Sequence, residues 1–220
     1  MRILVLGASG SIGRLLVTQA LARGHAVTAL VRKPARLPLT HVNLRTITGS
    51  VLDADSLEEA IEGQDAVISA LGSRTRTRRV TIYSAGMEAA LDAMSRQGVR
   101  RLVALSAAGI PSLDSPAVPA LFRRLVIPLL ARREYADMAR MEGLLAASKT
   151  DWTVLRPLWL RNGPALGGVR LSAEPLAPTR WGVRRSDLAA AMLEITEQGT
   201  FVREGVWAAY AAAASLNPGL

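Results

Sequence analysis

Glycines at positions 7, 10 and 13 stand in the run Gly7-Ala8-Ser9-Gly10-Ser11-Ile12-Gly13-Arg14, and the cations Arg32 and Lys33 follow. Residues of these types at this spacing suit one chemistry, the holding of a pyrophosphate against bare backbone. Gly7 permits a tight turn. Gly10 lacks the Cβ that would keep a pyrophosphate away from the main chain, and Gly13 lets a helix pack closely on a strand. The free amides from Ser9 through Ser11, Ile12 and Gly13 would then face the phosphates, with the helix dipole in their favour.

Such a loop needs a strand before it and a helix after it. Ile3 to Leu6 is a short apolar run rich in β formers, and Leu15, Leu16, Ala20 and Leu21 recur at helical spacing. Ala26 to Val31 reads as a second strand, and its end carries the second informative site. A dinucleotide without a 2′-phosphate is commonly met by an Asp or Glu about 20 residues past the glycines, which binds the ribose hydroxyl. Here the strand ends in Arg32-Lys33-Pro34, with no acid. A guanidinium grips a phosphate with two prongs, whereas a carboxylate repels it, so the pattern favours NADP(H) over NAD(H). Arg14, next to Gly13, is placed to join that clamp.

Further strands read at Leu44–Thr48, Asp65–Leu71, Arg101–Leu105 and Trp152–Leu155, with helices between them starting near Asp55-Ser56, Val80, Glu134 and Ser186-Asp187. Ligands of an alternating β–α chain sit at the carboxyl ends of its strands. Ser50, Val51, Ala70, Leu71, Gly72, Pro157 and Leu158 are therefore expected along the cofactor. Ser106 ends the fifth strand, where a nicotinamide and its substrate would meet. It either orients the substrate there or satisfies a backbone group.

Length and composition narrow the class. The 220 residues, half of them hydrophobic, fit one globular α/β domain with a doubly wound parallel sheet. Segments 110–134 and 160–182 read as substrate-side connections, with Gly163–Thr179 as loop. Phe201–Ala208 reads as a final edge strand. No cysteine is present, and His25 and His41 are the only histidines, so no metal centre is expected. No apolar run is long enough for a transmembrane segment to be expected, and Met1-Arg2-Ile3 runs straight into a core strand where a signal peptide would stand, which points to the cytoplasm. The net charge of +9 is almost wholly arginine, spread from Arg2 to Arg203, with one dense run at Arg74–Arg79. Nucleic-acid surfaces cluster their cations and interleave aromatics, so a nucleic-acid partner is not expected. The apolar run from Leu121 to Leu130, flanked by arginine pairs, reads as a substrate flap, a homodimer face or a basic surface for a membrane.

Taken together, these residues resemble the atypical short-chain dehydrogenase/reductase superfamily, and within it the NmrA-like and biliverdin reductase B (flavin reductase) proteins. The motifs that carry the resemblance are the glycine run, Val31-Arg32-Lys33-Pro34, Gly49, Asp65 to Gly72, and Gly98-Val99-Arg100-Arg101 leading to Ser106. Met141-Glu142, Asp151-Trp152-Thr153 to Pro157, and Asp187-Leu188-Ala189 complete the set. The resemblance implies a Rossmann-like sheet of about seven strands in the order 3-2-1-4-5-6-7. It also implies NADP(H) binding, with Arg32 on the 2′-phosphate and Ser106 near the nicotinamide.

Three departures bear on activity. Catalytic members of the superfamily carry Tyr-x-x-x-Lys, whereas Tyr135 is followed at that spacing by Ala139. Where a Gly-Asp pair would meet the adenine, the chain has Gly49-Ser50. Where the biliverdin reductase B branch has a histidine, the matching residue is Trp159, an indole able to stack on a flat substrate. The resemblance thus implies a reductase passing hydride to a small planar acceptor (flavin, quinone or carbonyl), with Ser106 as the main catalytic candidate and Tyr135 and Trp159 behind it. The alternatives are a non-catalytic NADP(H) sensor of NmrA type and, third, an enzyme of the nucleotide-sugar epimerase or dehydratase kind.

Overall fold

A computed structural model describes residues 1–73, 80–110, 131–176, 178–180 and 182–210. Its centre is an eight-stranded sheet in the order β3-β2-β1-β4-β5-β6-β10-β8. The strands are β1 (Arg2–Leu6), β2 (Ala26–Val31), β3 (Leu44–Thr48), β4 (Ala66–Ser69), β5 (Arg101–Leu105), β6 (Asp151–Pro157), β8 (Val169–Ser172) and β10 (Glu204–Tyr210). Two short strands, β7 (Leu160–Arg161) and β9 (Val183–Arg184), pair separately beside it. Every neighbouring pair in the large sheet is parallel except β10 with β8.

Both faces of the sheet are covered, which is why β1 is apolar at consecutive positions and does not alternate. Ile3, Leu4 and Val5 are wholly buried. At about 1.5–3 kcal/mol for each such side chain, these three alone rival the net stability of a whole domain. Ile3 and Val5 join the core under α1 (Ser11–Ala22) and α5 (Arg185–Gln198), where Leu16, Val17, Leu188 and Met192 pack. Leu4 and Leu6 point the other way, to Leu57, Met87, Met94, Met141 and Leu145 on α2 (Ala54–Ile61), α3 (Ile82–Gln97) and α4 (Arg132–Ala147). No helix of the described residues is long and apolar enough to cross a membrane.

The Rossmann-like order through β6 is as the resemblance implied, with three corrections. First, the segment between 163 and 179 is not all loop. It supplies β8, which runs antiparallel beside β10, so β10 is an inner strand and not the edge. The sequence hides β8 because two glycines precede it and its side chains are all half-buried, giving no clear alternation. Second, α2 is capped at Asp53, ahead of Asp55 and Ser56. Ser56 instead folds its hydroxyl back onto the Ser50 and Asp53 carbonyl oxygens. Third, α5 starts at Arg185, which places Ser186 and Asp187 inside its first turn.

Arg101 braces the far end of α5. Its half-buried guanidinium donates to the carbonyl oxygens of Ile195 at 2.9 Å, Thr200 at 3.0 Å and Asp151 at 2.8 Å, and to the Thr153 hydroxyl at 2.9 Å. The Ile195 carbonyl also accepts from the Gly199 amide at 3.1 Å, so Arg101 adds a second bond there and ties the end of α5 to β5 and β6.

Candidate functional site

The strand order reverses between β1 and β4, and the loops that leave these two strands meet there. The Ala70 amide donates to the Leu6 carbonyl at 2.9 Å. Gly7 has φ +76°, in the left-handed region, and a Cβ on it would stand 2.5 Å from the Ala70 carbonyl oxygen. Gly13 is held by close packing, since its Cβ would lie 2.1 Å from the Gly7 oxygen. Gly10 differs from both. Its only near neighbour would be the Gly7 oxygen at 3.1 Å, and its φ of −78° suits any residue. The fold therefore asks less of Gly10 than of Gly7 or Gly13, and its surface is bare of a side chain.

Helix α1 begins immediately after Gly10. No side chain caps its N-terminus, and no acid lies in its first turn. Ser9 is half-buried and Ser11 exposed, while the Ile12 side chain is buried in the core, so Ile12 offers a ligand only its main chain. These uncapped amides beside a surface lacking a Cβ fit a pyrophosphate.

Arg14 leaves the first turn of α1 and donates to the Arg36 carbonyl at 2.6 Å. Arg36 belongs to the short 3-10 turn Pro34–Arg36 that follows Arg32 and Lys33. Arg14, Arg32, Lys33 and Arg36 are all exposed on this corner. Arg36 was not singled out from the sequence. Its only signal was its place one turn past Arg32-Lys33-Pro34.

The other predicted positions fall on neighbouring strand ends. Val51 is buried, and its side chain meets that of Leu71 over Gly86 of α3, whose Cβ would lie 3.0 Å from each. The Ser50 hydroxyl accepts from the Leu52 amide at 3.2 Å and so holds a local turn. Gly72 is exposed, and the Ser73 amide after it donates to the hydroxyl of Tyr83 at 3.2 Å. Tyr83 in turn lies in the first turn of α3, which is fastened to α4 by a fully buried carboxylate, Asp137, which accepts from the Tyr83 amide at 2.9 Å and from Arg140 at 2.9 Å. Nothing in the sequence marks Asp137 as the link to α3, because its partners there, Tyr83 and Ser84, lie more than fifty residues away.

Ser106 is 4% exposed, and its hydroxyl has no hydrogen-bond partner among the described residues. Its amide donates to the Leu155 carbonyl at 2.8 Å, and the Ala108 amide donates to Pro157 at 3.1 Å, so Ser106 and Pro157 end adjacent strands. A buried hydroxyl without a partner is costly in a folded chain and marks a place where another molecule can supply one.

The pattern of the NAD(P)H-binding family matches residues 7–199. The chain belongs to this family. It is also 36% identical over 113 residues to the 3 beta-hydroxysteroid dehydrogenase/Delta 5-->4-isomerase of Mycobacterium tuberculosis, a match that takes 46% of this chain and only 30% of that one. The chain thus spans about a third of the length of such curated relatives. The uncharacterized sugar epimerase YhfK of Bacillus subtilis is 26% identical over 88% of this chain and 86% of its own. A short-chain dehydrogenase/reductase of Veillonella parvula in complex with NADP superposes with a TM-score of 0.80 at 22% identity, covering 94% of each chain. ChuY, an anaerobillin reductase from Escherichia coli O157:H7, gives 0.75 at 20% identity over 97% of this chain and 99% of that one. Both solved structures share the fold.

In this NAD(P)H-binding chain the catalytic candidates other than Ser106 divide. Tyr135 packs beside Ala108, Leu158, Leu176 and Trp207, on the same edge of the sheet as the end of β5. Burial pushes its hydroxyl up to about 12. A tyrosine so placed holds its proton throughout the physiological range and is unsuited to the acid–base role that a lysine neighbour would confer. Trp159 lies 44% exposed just past β6 and presents a flat surface. Asp187 is no helix cap. It accepts from the amides of Leu166 at 2.9 Å and Gly167 at 3.1 Å and from the Tyr210 hydroxyl, and so ties the 163–168 loop to the end of β10. The arginine run 74–79 and the stretch 111–130, read as a flap or dimer face, lie outside the described residues.

Proposed function

We propose that the chain, as one domain over residues 1–220, is an NADPH-dependent reductase that passes hydride to a small planar acceptor, a flavin or quinone before a simple carbonyl. The observation that carries the reading is the cationic corner at the end of β2, where Arg32 and Lys33 stand without an acid and Arg14 reaches across to Arg36. Arg32 grips a 2′-phosphate in this reading, with Lys33 and Arg14 as supports. The Ser9-to-Gly13 backbone holds the pyrophosphate, and Val51, Ala70, Leu71 and Gly72 line the adenine and ribose side. Pro157 and Leu158 wall the nicotinamide end.

Hydride transfer is the chemistry that the reduced nicotinamide supplies when bound; the acceptor gains that hydride and takes one proton from solvent. Such acceptors ask of the protein mainly orientation. The Ser106 hydroxyl donates to an acceptor oxygen or nitrogen, or relays the proton, and Trp159 stacks on the flat ring. A protonated Tyr135 is no obstacle to this chemistry.

The test is optical. NADPH oxidation is followed with FMN, menadione and an aldehyde, and turnover with FMN or menadione is the expected result. The same Tyr135 observation favours one other reading, a non-catalytic NADP(H) sensor. Tight NADPH binding with no turnover on any acceptor, and a partner captured in only one redox form, would select it. A sugar epimerase, the activity in the name of the uncharacterized YhfK, would interconvert its substrates with no net NADPH consumption.

A further inference from the structure

Helix α4 meets the end of β6 at two points on one helical face. Tyr135 packs in one cluster with Leu158, just past the strand. Glu142, two turns further along α4, accepts from Arg156 of β6 through both carboxylate oxygens, at 2.6 Å and 3.3 Å. The Arg156 and Glu142 side chains are largely buried, at 15% and 12% exposure.

Strand β10 leaves room for this pair. A Cβ on Gly205 would stand 2.2 Å from the Arg156 Cζ and 2.2 Å from its Nη1, so the guanidinium rests on the bare main chain of Gly205. Gly205 has no left-handed φ that would call for a glycine, so it is the guanidinium that excludes a side chain. Neither feature is what stability alone favours. A buried ion pair loses much of its attraction to desolvation, and apolar residues of similar volume often do as well or better. Glycine inside a strand costs entropy and packs nothing. What the two provide together is a fixed geometry, because a two-pronged pair has one orientation.

The backbone fixed in this way carries the predicted site. Arg156 stands between Leu155, whose carbonyl accepts from the Ser106 amide at 2.8 Å, and Pro157, whose carbonyl accepts from the Ala108 amide at 3.1 Å. Leu158 and Trp159 follow directly. We infer that Arg156, held by Glu142 over Gly205, is a positioning residue for hydride transfer, setting Ser106, Pro157 and Leu158 against the nicotinamide. Its side chain is engaged by Glu142, so it acts through the main chain. The inference rests on the reductase reading above, in which those three residues face the nicotinamide and the acceptor.

The test uses the full chain with Glu142→Leu and Arg156→Met together, which removes both charges and is expected to melt near the wild-type temperature. With menadione as acceptor, kcat should fall about tenfold, while the KM for NADPH stays within about threefold. The deuterium isotope effect on kcat with C4-dideuterated NADPH should rise, because a misplaced hydride slows the chemical step relative to product release. Destabilisation alone lowers the melting temperature and leaves the isotope effect where it was. Arg156→Lys, which keeps the charge without the fork, and Gly205→Ala, which keeps both charges and displaces the fork, should show the same signature in smaller measure. They serve if the double variant fails to fold. Wild-type kcat and isotope effect in a folded variant overturn the inference. If the wild type turns over neither menadione nor FMN, the reductase reading fails and the fluorescence of bound NADPH is read instead. The variant is then expected to keep its affinity and to shift the bound emission toward that of free NADPH. Unchanged emission overturns the positioning role in that case.

Discussion

Gly13 sits so tightly against Gly7 that a Cβ at position 13 would lie 2.1 Å from the Gly7 carbonyl oxygen, whereas one at Gly10 would approach the same oxygen only to 3.1 Å. Two glycines of one motif thus meet different constraints: Gly13 is required by close packing, and Gly10 serves the ligand in the function proposed above. Gly10→Ala should lower the melting temperature by far less than Gly13→Ala, since its φ suits alanine and the Gly7 oxygen need shift only a few tenths of an ångström. The same change should weaken NADPH binding about tenfold or more, as measured by fluorescence titration. Equal losses of stability and binding would mean that Gly10 serves the fold.

Ser106→Ala removes a buried hydroxyl that no described residue satisfies. An unsatisfied buried group costs about 1–3 kcal/mol, so the alanine variant should melt at or above the wild-type temperature. Its kcat/KM for the acceptor should nevertheless fall by about 10- to 100-fold. A variant as active as wild type would remove Ser106 from the site.

Tyr135→Phe should be nearly silent in catalysis. With its hydroxyl pushed up to about 12 by burial, Tyr135 is protonated across the working range. Rate against pH between 6 and 9 should keep the same shape in the variant, and kcat should stay within about threefold of wild type. A lost titration limb would show Tyr135 to be an acid or base after all.

Acid sensitivity should be traceable to Glu197. Burial works to raise its pKa, but hydrogen bonds from His25 at 2.6 Å and Arg23 at 2.8 Å outweigh that, and the carboxyl is held below its ordinary value of 4.5. A carboxylate depressed in the folded state contributes stability above its unfolded pKa and loses it as pH falls through the folded one. Glu197→Gln should therefore cost about 0.5–1 kcal/mol near pH 7, and the difference from wild type should shrink below about pH 4. Urea unfolding at pH 7 and pH 3.5 measures both.

Much of the frame was legible because local pattern and tertiary demand agree. The β1 run is apolar on both faces, and the spacing of Gly7, Gly10 and Gly13 names the turn that must follow it. What escaped was carried by partners distant in sequence. Asp187 reads as a cap because Ser186-Asp187 opens a helix, yet its partners are Leu166, Gly167 and Tyr210, which no local rule connects to it. Strand β8 is hidden by half-buried positions, and Glu142, Arg156 and Gly205, on three different elements, meet only in the fold. Tyr135 was readable as a residue lacking its lysine, but its burial against Trp207 needed the fold.

The central claim is NADPH use through the cationic corner, and the most direct measurement is the KM for NADPH and for NADH, with menadione as acceptor, in wild type and Arg32→Ala. The account predicts a strong wild-type preference for NADPH and a KM for NADPH that rises about 10- to 100-fold in the variant, with the KM for NADH and kcat little changed. A wild type that uses NADH as well as NADPH, or a variant whose two KM values move together, would contradict it.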